Sequence, residues 1–156
     1  MSVLDDPHRL AALEASGLLD KDVLGRLTHL TYSAVMITGA DASQINVLGD
    51  VTQHTIAQHP GPRRAPIPVE ASACYRVIQQ NATIAVVDAA HDPDACDLPW
   101  AQDFRGYLGT PVCYDDEPIG SICVVSVKPR EWRHHDELAL EGLARLVSLS
   151  VELNRG

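Results

Sequence analysis

The chain lacks several features that mark common functional classes. It has no apolar run near the roughly 20 residues of a membrane-spanning helix, and its acidic start, MSVLDDPHRL, is unlike a signal peptide. None of its four cysteines (Cys74, Cys96, Cys113 and Cys123) belongs to a C-x-x-C pair, which disfavours a zinc site. We therefore expect a cytoplasmic protein with reduced thiols and no metal, in which Cys113 and Cys123 are small core residues.

Basic residues are scarce relative to acidic ones. The 12 Lys and Arg are outnumbered by 21 Asp and Glu, so the net charge is −9. The one basic pair in a loop is Arg63-Arg64, and no basic stripe accompanies it. Because nucleic-acid affinity comes largely from neutralising phosphates, we expect no nucleic-acid partner, and we expect no membrane partner either.

What is present is enough apolar sequence for one domain. The 156 residues are 46% hydrophobic, and a chain of this length buries about two-thirds of its unfolded surface. We expect a single domain over 1–156, with N-terminal helices in 1–39, a sheet and pocket region in 40–127, and a C-terminal helix in 128–156.

Periodicity predicts the secondary structure. Three- and four-residue spacing of apolar positions indicates helices over about 7–16, 20–37, 70–80 and 134–154, with one helical turn near 100–104. Alternating or β-branched runs indicate strands over 44–48, 53–58, 83–87, 107–114 and 119–127, the last two joined by a longer acidic loop. The proline-rich 59–68, HPGPRRAPIP, is expected to be a surface loop. This order predicts an α+β fold with a mostly antiparallel sheet of five to six strands.

Several segments, in order along nearly the whole chain, resemble a GAF domain, the small sensor module of bacterial signalling proteins. They are DDPHRLAALEASGLLD at 5–20, SACYRVI at 72–78, AVVDAAHDP at 85–93, TPV at 110–112, IGSICV at 119–124 and PREW at 129–132. The resemblance implies that the N- and C-terminal helices pack on one face of the sheet. A short helix and a long loop would then roof a pocket on the other face.

The resemblance also implies where a ligand would bind. The expected ligand-binding residues, in the roof and the adjoining strand, are Cys74, Tyr75, Ile78, Asp88, His91, Trp100, Phe104 and Tyr107. Other interpretations stay open: Trp100 and Phe104 can pin the loop to the sheet, Asp88 can cap a turn, and His91 can be a solvated loop residue. The signatures of cyclic-nucleotide-binding and bilin-attaching GAF domains are absent from this sequence, so the ligand and any cofactor are unknown.

The last helix has apolar residues on more than one face. One side can pack on the sheet, whereas the other can pair with a second chain through Leu143, Leu146, Ser150 and Leu153. The alternative is that the first two helices cover the whole apolar surface.

The sequence thus favours a non-enzymatic sensory or regulatory module that acts as a homodimer with a kinase, phosphatase or cyclase output domain or partner. One alternative is a degenerate GAF domain used only for dimerisation or protein docking. Another is a thiol-dependent free methionine sulfoxide reductase, since Cys74, Cys96 and the ACD segment at 95–97 resemble part of that family's pattern.

Overall fold

The computed structural model describes residues 2–19 and 21–153, with the side chains of 21–25 left out. Its helices are α1 (Pro7–Ser16), α2 (Lys21–Thr38), α3 (Cys74–Gln80) and α4 (His134–Leu153). Its strands are β1 (Ala42–Leu48), β2 (Thr52–His59), β3 (Ile67–Pro68), β4 (Ile84–Val86), β5 (Gly106–Tyr114) and β6 (Glu117–Ser126). Short 3-10 turns cover Val3–Asp5, Val69–Ala71, Ala89–His91 and Pro99–Gln102. Asp20 and Asn154, at which two of the predicted helices begin or end, lie outside the described part, as does the side chain of Leu24, one of the apolar residues on which the prediction of the second helix depends.

The strands form one six-stranded antiparallel sheet in the order β3-β2-β1-β6-β5-β4. The α+β prediction is confirmed. Part of the proline-rich loop adds the edge strand β3, which pairs with Thr52 and Gln53. A strand of two residues at the edge tolerates Pro68, because one side of an edge strand needs no ladder hydrogen bonds.

The hairpin between β5 and β6 is tighter than the sequence suggested. Tyr114 pairs with Glu117, so the turn consists of Asp115 and Asp116 alone. Both residues have positive φ, 50° and 64°, as a two-residue type I′ turn requires. The expected longer acidic loop was wrong, because Glu117 and Pro118 belong to β6.

Local signals placed the helix boundaries correctly at α1 and less well at α3. Asp6 accepts a hydrogen bond from the His8 amide, and Gly17 ends α1 in the left-handed region (φ 68°). The helix predicted to begin near residue 70 instead begins at Cys74, after a separate 3-10 turn. Ser72 separates the two, and its Oγ accepts the Cys74 amide hydrogen at 2.9 Å.

Two hydrophobic clusters lie on opposite faces of the sheet. Helices α1, α2 and α4 cover the larger cluster, which includes Ile45, Val47, Leu140 and Val147. Helix α3 and the loop 87–105 cover the smaller cluster on the other face. Among the described helices, none combines the length and the apolarity that crossing a bilayer needs.

Candidate functional site

A cavity of about 360 Å³ lies between the sheet and its roof. Its floor is formed by residues of β1, β2, β5 and β6, and its roof by 71–74 and 99–104, with 64–68 at one edge. The volume falls within the roughly 300–1,000 Å³ of small-molecule sites.

The floor carries a chain of uncharged hydrogen-bonding groups. Gln58 Nε2 donates to the Pro60 carbonyl (3.2 Å), and Gln44 Nε2 donates to Gln58 Oε1 (3.0 Å). Asn46 Nδ2 donates to Gln44 Oε1 (3.3 Å), and Thr55 Oγ1 donates to Asn46 Oδ1 (2.7 Å). The amides therefore present both donors and acceptors to the cavity without net charge.

The sequence analysis did not single out this polar floor, although a signal for it was present. Gln44 and Asn46 alternate with Ile45 and Val47, which are fully buried in the cluster under the helices. Because successive strand residues face opposite sides, the two polar residues must line the other face. Polar residues that alternate with buried apolar ones, in a strand covered on both of its faces, are a usable sign of a lined cavity.

Cys74 places a buried thiol at the wall of the cavity. Its Sγ accepts hydrogen bonds from Ser121 Oγ (2.9 Å), Tyr107 OH (3.2 Å) and Asn46 Nδ2 (3.4 Å). A hydrogen bond from Cys123 lowers the pKa of Cys74 most, burial opposes it, and with the other donors the pKa falls to about 6. The arrangement favours a thiolate, which is the nucleophilic form of cysteine.

Tyr107 reaches Cys74 because Gly109 leaves room for its ring. A Cβ at Gly109, two residues along the same strand, would collide with the ring carbon Cε1 at 2.9 Å. Burial and the neighbouring thiolate raise the pKa of Tyr107 well above its usual value, so the phenol keeps its proton and remains a donor. The ring of Tyr107 also packs against Trp100, with centroids 5.5 Å apart.

A wider cleft of about 660 Å³ adjoins the cavity across Trp100 and Tyr107. It lies between the N-terminal segment, α3 and the loop before β5. Tyr75 lines it, and the Tyr75 hydroxyl is 3.4 Å from Ser2 Oγ.

A model of the GAF domain family matches residues 22–151. The chain belongs to the GAF domain family. No curated protein matches the sequence.

Solved structures share this GAF fold at low sequence identity. The free methionine-R-sulfoxide reductase from Neisseria meningitidis is 18% identical with a TM-score of 0.73, over 92% of this chain and 88% of that one. The blue-light absorbing form of the Thermosynechococcus elongatus PixJ GAF domain is 19% identical (TM-score 0.71, 88% and 89% covered). The GAF domain of an Acinetobacter phosphoenolpyruvate-protein phosphotransferase is 15% identical (TM-score 0.71, 95% of both chains). At these identities the likeness establishes the fold.

The structure brings half of the expected ligand-binding residues together. Cys74, Trp100, Phe104 and Tyr107 line the cavity of this GAF domain. Phe104 sits at its outer edge, with the Arg64 guanidinium 5.5 Å from the ring centroid.

Four other expected residues lie elsewhere. Tyr75 lines the neighbouring cleft, and Ile78 is buried in the smaller hydrophobic cluster. Asp88 caps the turn Ala89–His91 by accepting the Ala90 amide hydrogen, and it contacts His91 Nδ1 at 3.0 Å. The His91 side chain is 84% exposed.

The residues expected at a dimer interface differ in exposure. Leu143 is only 8% exposed and packs in the larger hydrophobic cluster, so it is not part of an open surface. Leu146 and Leu153 are 50% and 84% exposed, and Ser150 is half-buried. Within the described residues, no group of three or more His, Cys, Asp or Glu side chains is placed to hold a metal ion.

Proposed function

We propose that this GAF domain is a non-enzymatic sensory module that binds a small, uncharged, polar molecule in the cavity over Gln44 and Asn46. The observation that carries the proposal is the cavity floor, in which partly or fully buried amide and hydroxyl groups are linked to one another without a charged partner. Apart from the Cys74 thiolate, which accepts hydrogen bonds from uncharged groups, the charged residues lining the cavity are Arg64 and Asp103, and both are exposed.

The chemistry of the floor limits the ligand. Burying an ion against neutral amides is costly, because no opposite charge compensates for its lost hydration. A molecule with both hydrogen-bond donors and acceptors matches the carboxamides of the floor. The rings of Trp100, Tyr107 and Phe104 add an apolar wall suited to a planar group.

Native mass spectrometry of the protein as purified from cells tests the proposal. We expect a retained molecule whose mass adds to that of the chain. The variant Gln44→Leu removes one amide of the floor and should lose it. Gln102→Leu makes the same change at an exposed position outside the cavity and should retain it.

The opposite result points to a different role. A parent protein without bound ligand, which also binds none of the uncharged fractions of a cell extract, would favour the dimerisation or docking module. Its signal would then come from a protein partner, and its output domain would be sought among kinases, phosphatases and cyclases.

The signal would pass through the outer surface of α4. Four leucines there are 41–84% exposed: Leu138, Leu146, Leu149 and Leu153. Leu146, Leu149 and Leu153 recur at three- and four-residue spacing, so they share one side of the helix. We propose that this side pairs with a second chain and that ligand binding biases the geometry of the pair.

A second candidate function is reduction of free methionine sulfoxide. It is favoured by the Cys74 thiol at the cavity wall, by the exposed Cys96 in the roof loop, and by the fold shared with the Neisseria enzyme. In that reaction two thiols become a disulfide, the sulfur–oxygen bond of the sulfoxide breaks, and the oxygen leaves as water.

A turnover assay with free methionine-R-sulfoxide and dithiothreitol separates the two functions. Methionine formation that Cys96→Ser abolishes and Cys113→Ser preserves would establish the reductase. Absence of methionine formation by the parent protein would end this candidate and leave the sensor.

A further inference from the structure

Two buried thiols from different elements meet beneath the cavity. Cys74 begins α3 and is 2% exposed, and Cys123 lies in β6 and is 3% exposed. The side-chain amide of Asn46 lies between them, with its Nδ2 3.4 Å from the Cys74 sulfur and 4.0 Å from the Cys123 sulfur. Both are free cysteines, so the structure shows the reduced pair.

The surroundings of the pair favour ionisation of one member. Thiol sulfur is normally a weak acceptor, yet Cys74 Sγ receives hydrogen bonds from Ser121, Tyr107 and Asn46. The hydrogen bond with Cys74 and burial raise the pKa of Cys123 well above its usual value. The pair is therefore divided into a nucleophilic sulfur, Cys74, and a protonated sulfur beside it.

In the described part of the chain, the cavity is the opening that leads to the nucleophilic sulfur of Cys74. Cys74 contributes to the lining of the 360 Å³ cavity, whereas Cys123 does not. The neutral floor around Cys74 favours a small uncharged reagent over a charged one. Hydrogen peroxide fits this description.

We propose that Cys74 and Cys123 form an oxidation site, at which hydrogen peroxide entering the cavity is reduced and the two cysteines become a disulfide. The Cys74 thiolate attacks one peroxide oxygen, so a sulfur–oxygen bond forms, the oxygen–oxygen bond breaks, and hydroxide leaves and is protonated to water. The Cys123 sulfur then attacks the sulfenic acid on Cys74. The sulfur–oxygen bond breaks, and the departing oxygen takes the thiol proton and leaves as a second water.

Oxidation would change the floor on which a ligand rests. A disulfide ties the first residue of α3 to the centre of β6 and removes the thiolate that Ser121, Tyr107 and Asn46 now contact. Tyr107 also packs against Trp100, so the change extends to the aromatic wall. Oxidation at Cys74 and Cys123 does not depend on the proposed ligand, because it requires only the cavity and the two thiols.

Peroxide treatment of the reduced 156-residue chain tests the proposal. We expect the free thiols to fall from the four of the reduced protein to two. Peptide mapping by mass spectrometry should find the Cys74 and Cys123 peptides cross-linked, with the loss of two hydrogen atoms, and dithiothreitol should reverse the change.

Variants assign the roles of the two cysteines. Cys123→Ser should stop the reaction at a sulfenic acid on Cys74, which dimedone traps. Cys74→Ser should leave Cys123 unmodified, and Cys113→Ser, at a half-buried position on β5, should oxidise like the parent. Circular dichroism verifies that each variant is folded. If Cys74→Ser does not fold, the dimedone adduct in Cys123→Ser still decides the question.

Two outcomes overturn the proposal. One is a peroxide-treated protein that keeps all its thiols. The other is a disulfide between Cys74 and Cys96, which would assign the Cys74 thiol to the reductase. A sensor without a ligand would still oxidise at Cys74 and Cys123, so failure of the proposed function is distinguishable from failure of this inference.

Discussion

At the scale of single residues, Arg9 is the clearest case of a buried charge with a structural purpose. Its side chain has no exposed area, and its Nη1 donates to the Leu48 carbonyl at 2.6 Å. Its Nη2 donates to the carbonyls of Gly49 (2.9 Å) and Leu4 (3.1 Å), and its Nε donates to that of Val3 (3.3 Å). Burial lowers its pKa, and nearby carboxylates oppose that shift. One guanidinium thus joins the N-terminal turn to the turn between β1 and β2.

We predict that Arg9→Met lowers the free energy of unfolding by about 3 kcal/mol, since each buried carbonyl left without a donor costs about 1–3 kcal/mol. Urea denaturation measures the loss. The matched change Arg145→Met, on the exposed surface of α4, should stay within about 0.5 kcal/mol of the parent. Equal stability of the two variants would show that Arg9 is dispensable.

At the scale of elements, the PREW segment at 129–132 owes its structural role to contacts at the start of α4. Asp136, fully buried, accepts the Arg133 amide hydrogen at 2.9 Å, as the third residue of a capping box does. Arg130 contacts Asp136 at 3.3 Å and donates to the Thr38 carbonyl at the end of α2. The Arg130 guanidinium also lies 4.5 Å above the Trp132 ring. The segment therefore fastens the end of α2 to the start of α4.

The contacts of Asp136 with Arg133 and Arg130 should make the free energy of unfolding depend on pH. Burial alone would raise the pKa of Asp136, but the Arg133 amide and the Arg130 charge lower it overall. A folded pKa below the unfolded value means that the charged form stabilises the fold. This contribution is complete above the unfolded pKa of about 3.9 and is lost as the pH falls through the lower folded pKa.

We predict that Asp136→Asn lowers the free energy of unfolding by about 1–3 kcal/mol at neutral pH, and that the difference from the parent narrows below about pH 4. Denaturation at a series of pH values measures both. Glu131→Gln removes an exposed carboxylate from the same loop and should have little effect. A difference that stays constant down to the lowest pH would contradict the assignment.

At the scale of the whole molecule, the sheet separates a layer of packed helices from a cavity. Helices α1, α2 and α4 fill one face with apolar packing, whereas the other face holds the cavity and its polar floor. The helical layer also has large apolar side chains on its outside. On α2 these are Tyr32, Met36 and Ile37, and on α4 they include Leu146 and Leu149.

We predict that the parent chain has twice its monomer mass in multi-angle light scattering, and that Leu146→Glu combined with Leu149→Glu makes it monomeric. Paired glutamates would face their copies across the interface without a compensating charge. Val87→Glu alters an exposed apolar residue at the end of β4 and should remain dimeric. A parent that is monomeric at high concentration would exclude self-association through α4.

The sequence predicted those parts of the fold that depend on neighbours along the chain. The bounds of α1 and the existence of the hairpin between β5 and β6 follow from a few adjacent residues, although the length of the hairpin turn was predicted wrongly. The candidate site was predicted only in part. Trp100 and Tyr107, which the resemblance suggested, do line the cavity, whereas Ile78 and His91 lie in the same segments as lining residues but are not part of the lining.

What the sequence alone determined was the GAF family and the alternation of polar and apolar residues that divides each strand between two faces. The tertiary structure decided which distant residues meet. The pairing of β1 with β6 sets Asn46 opposite Ser121, and the packing of α3 on that pair brings Cys74 to Ser121, 47 positions apart in the sequence. Contacts across such separations depend on strand order and helix packing. No local pattern encodes them, because periodicity fixes only the face on which a side chain lies.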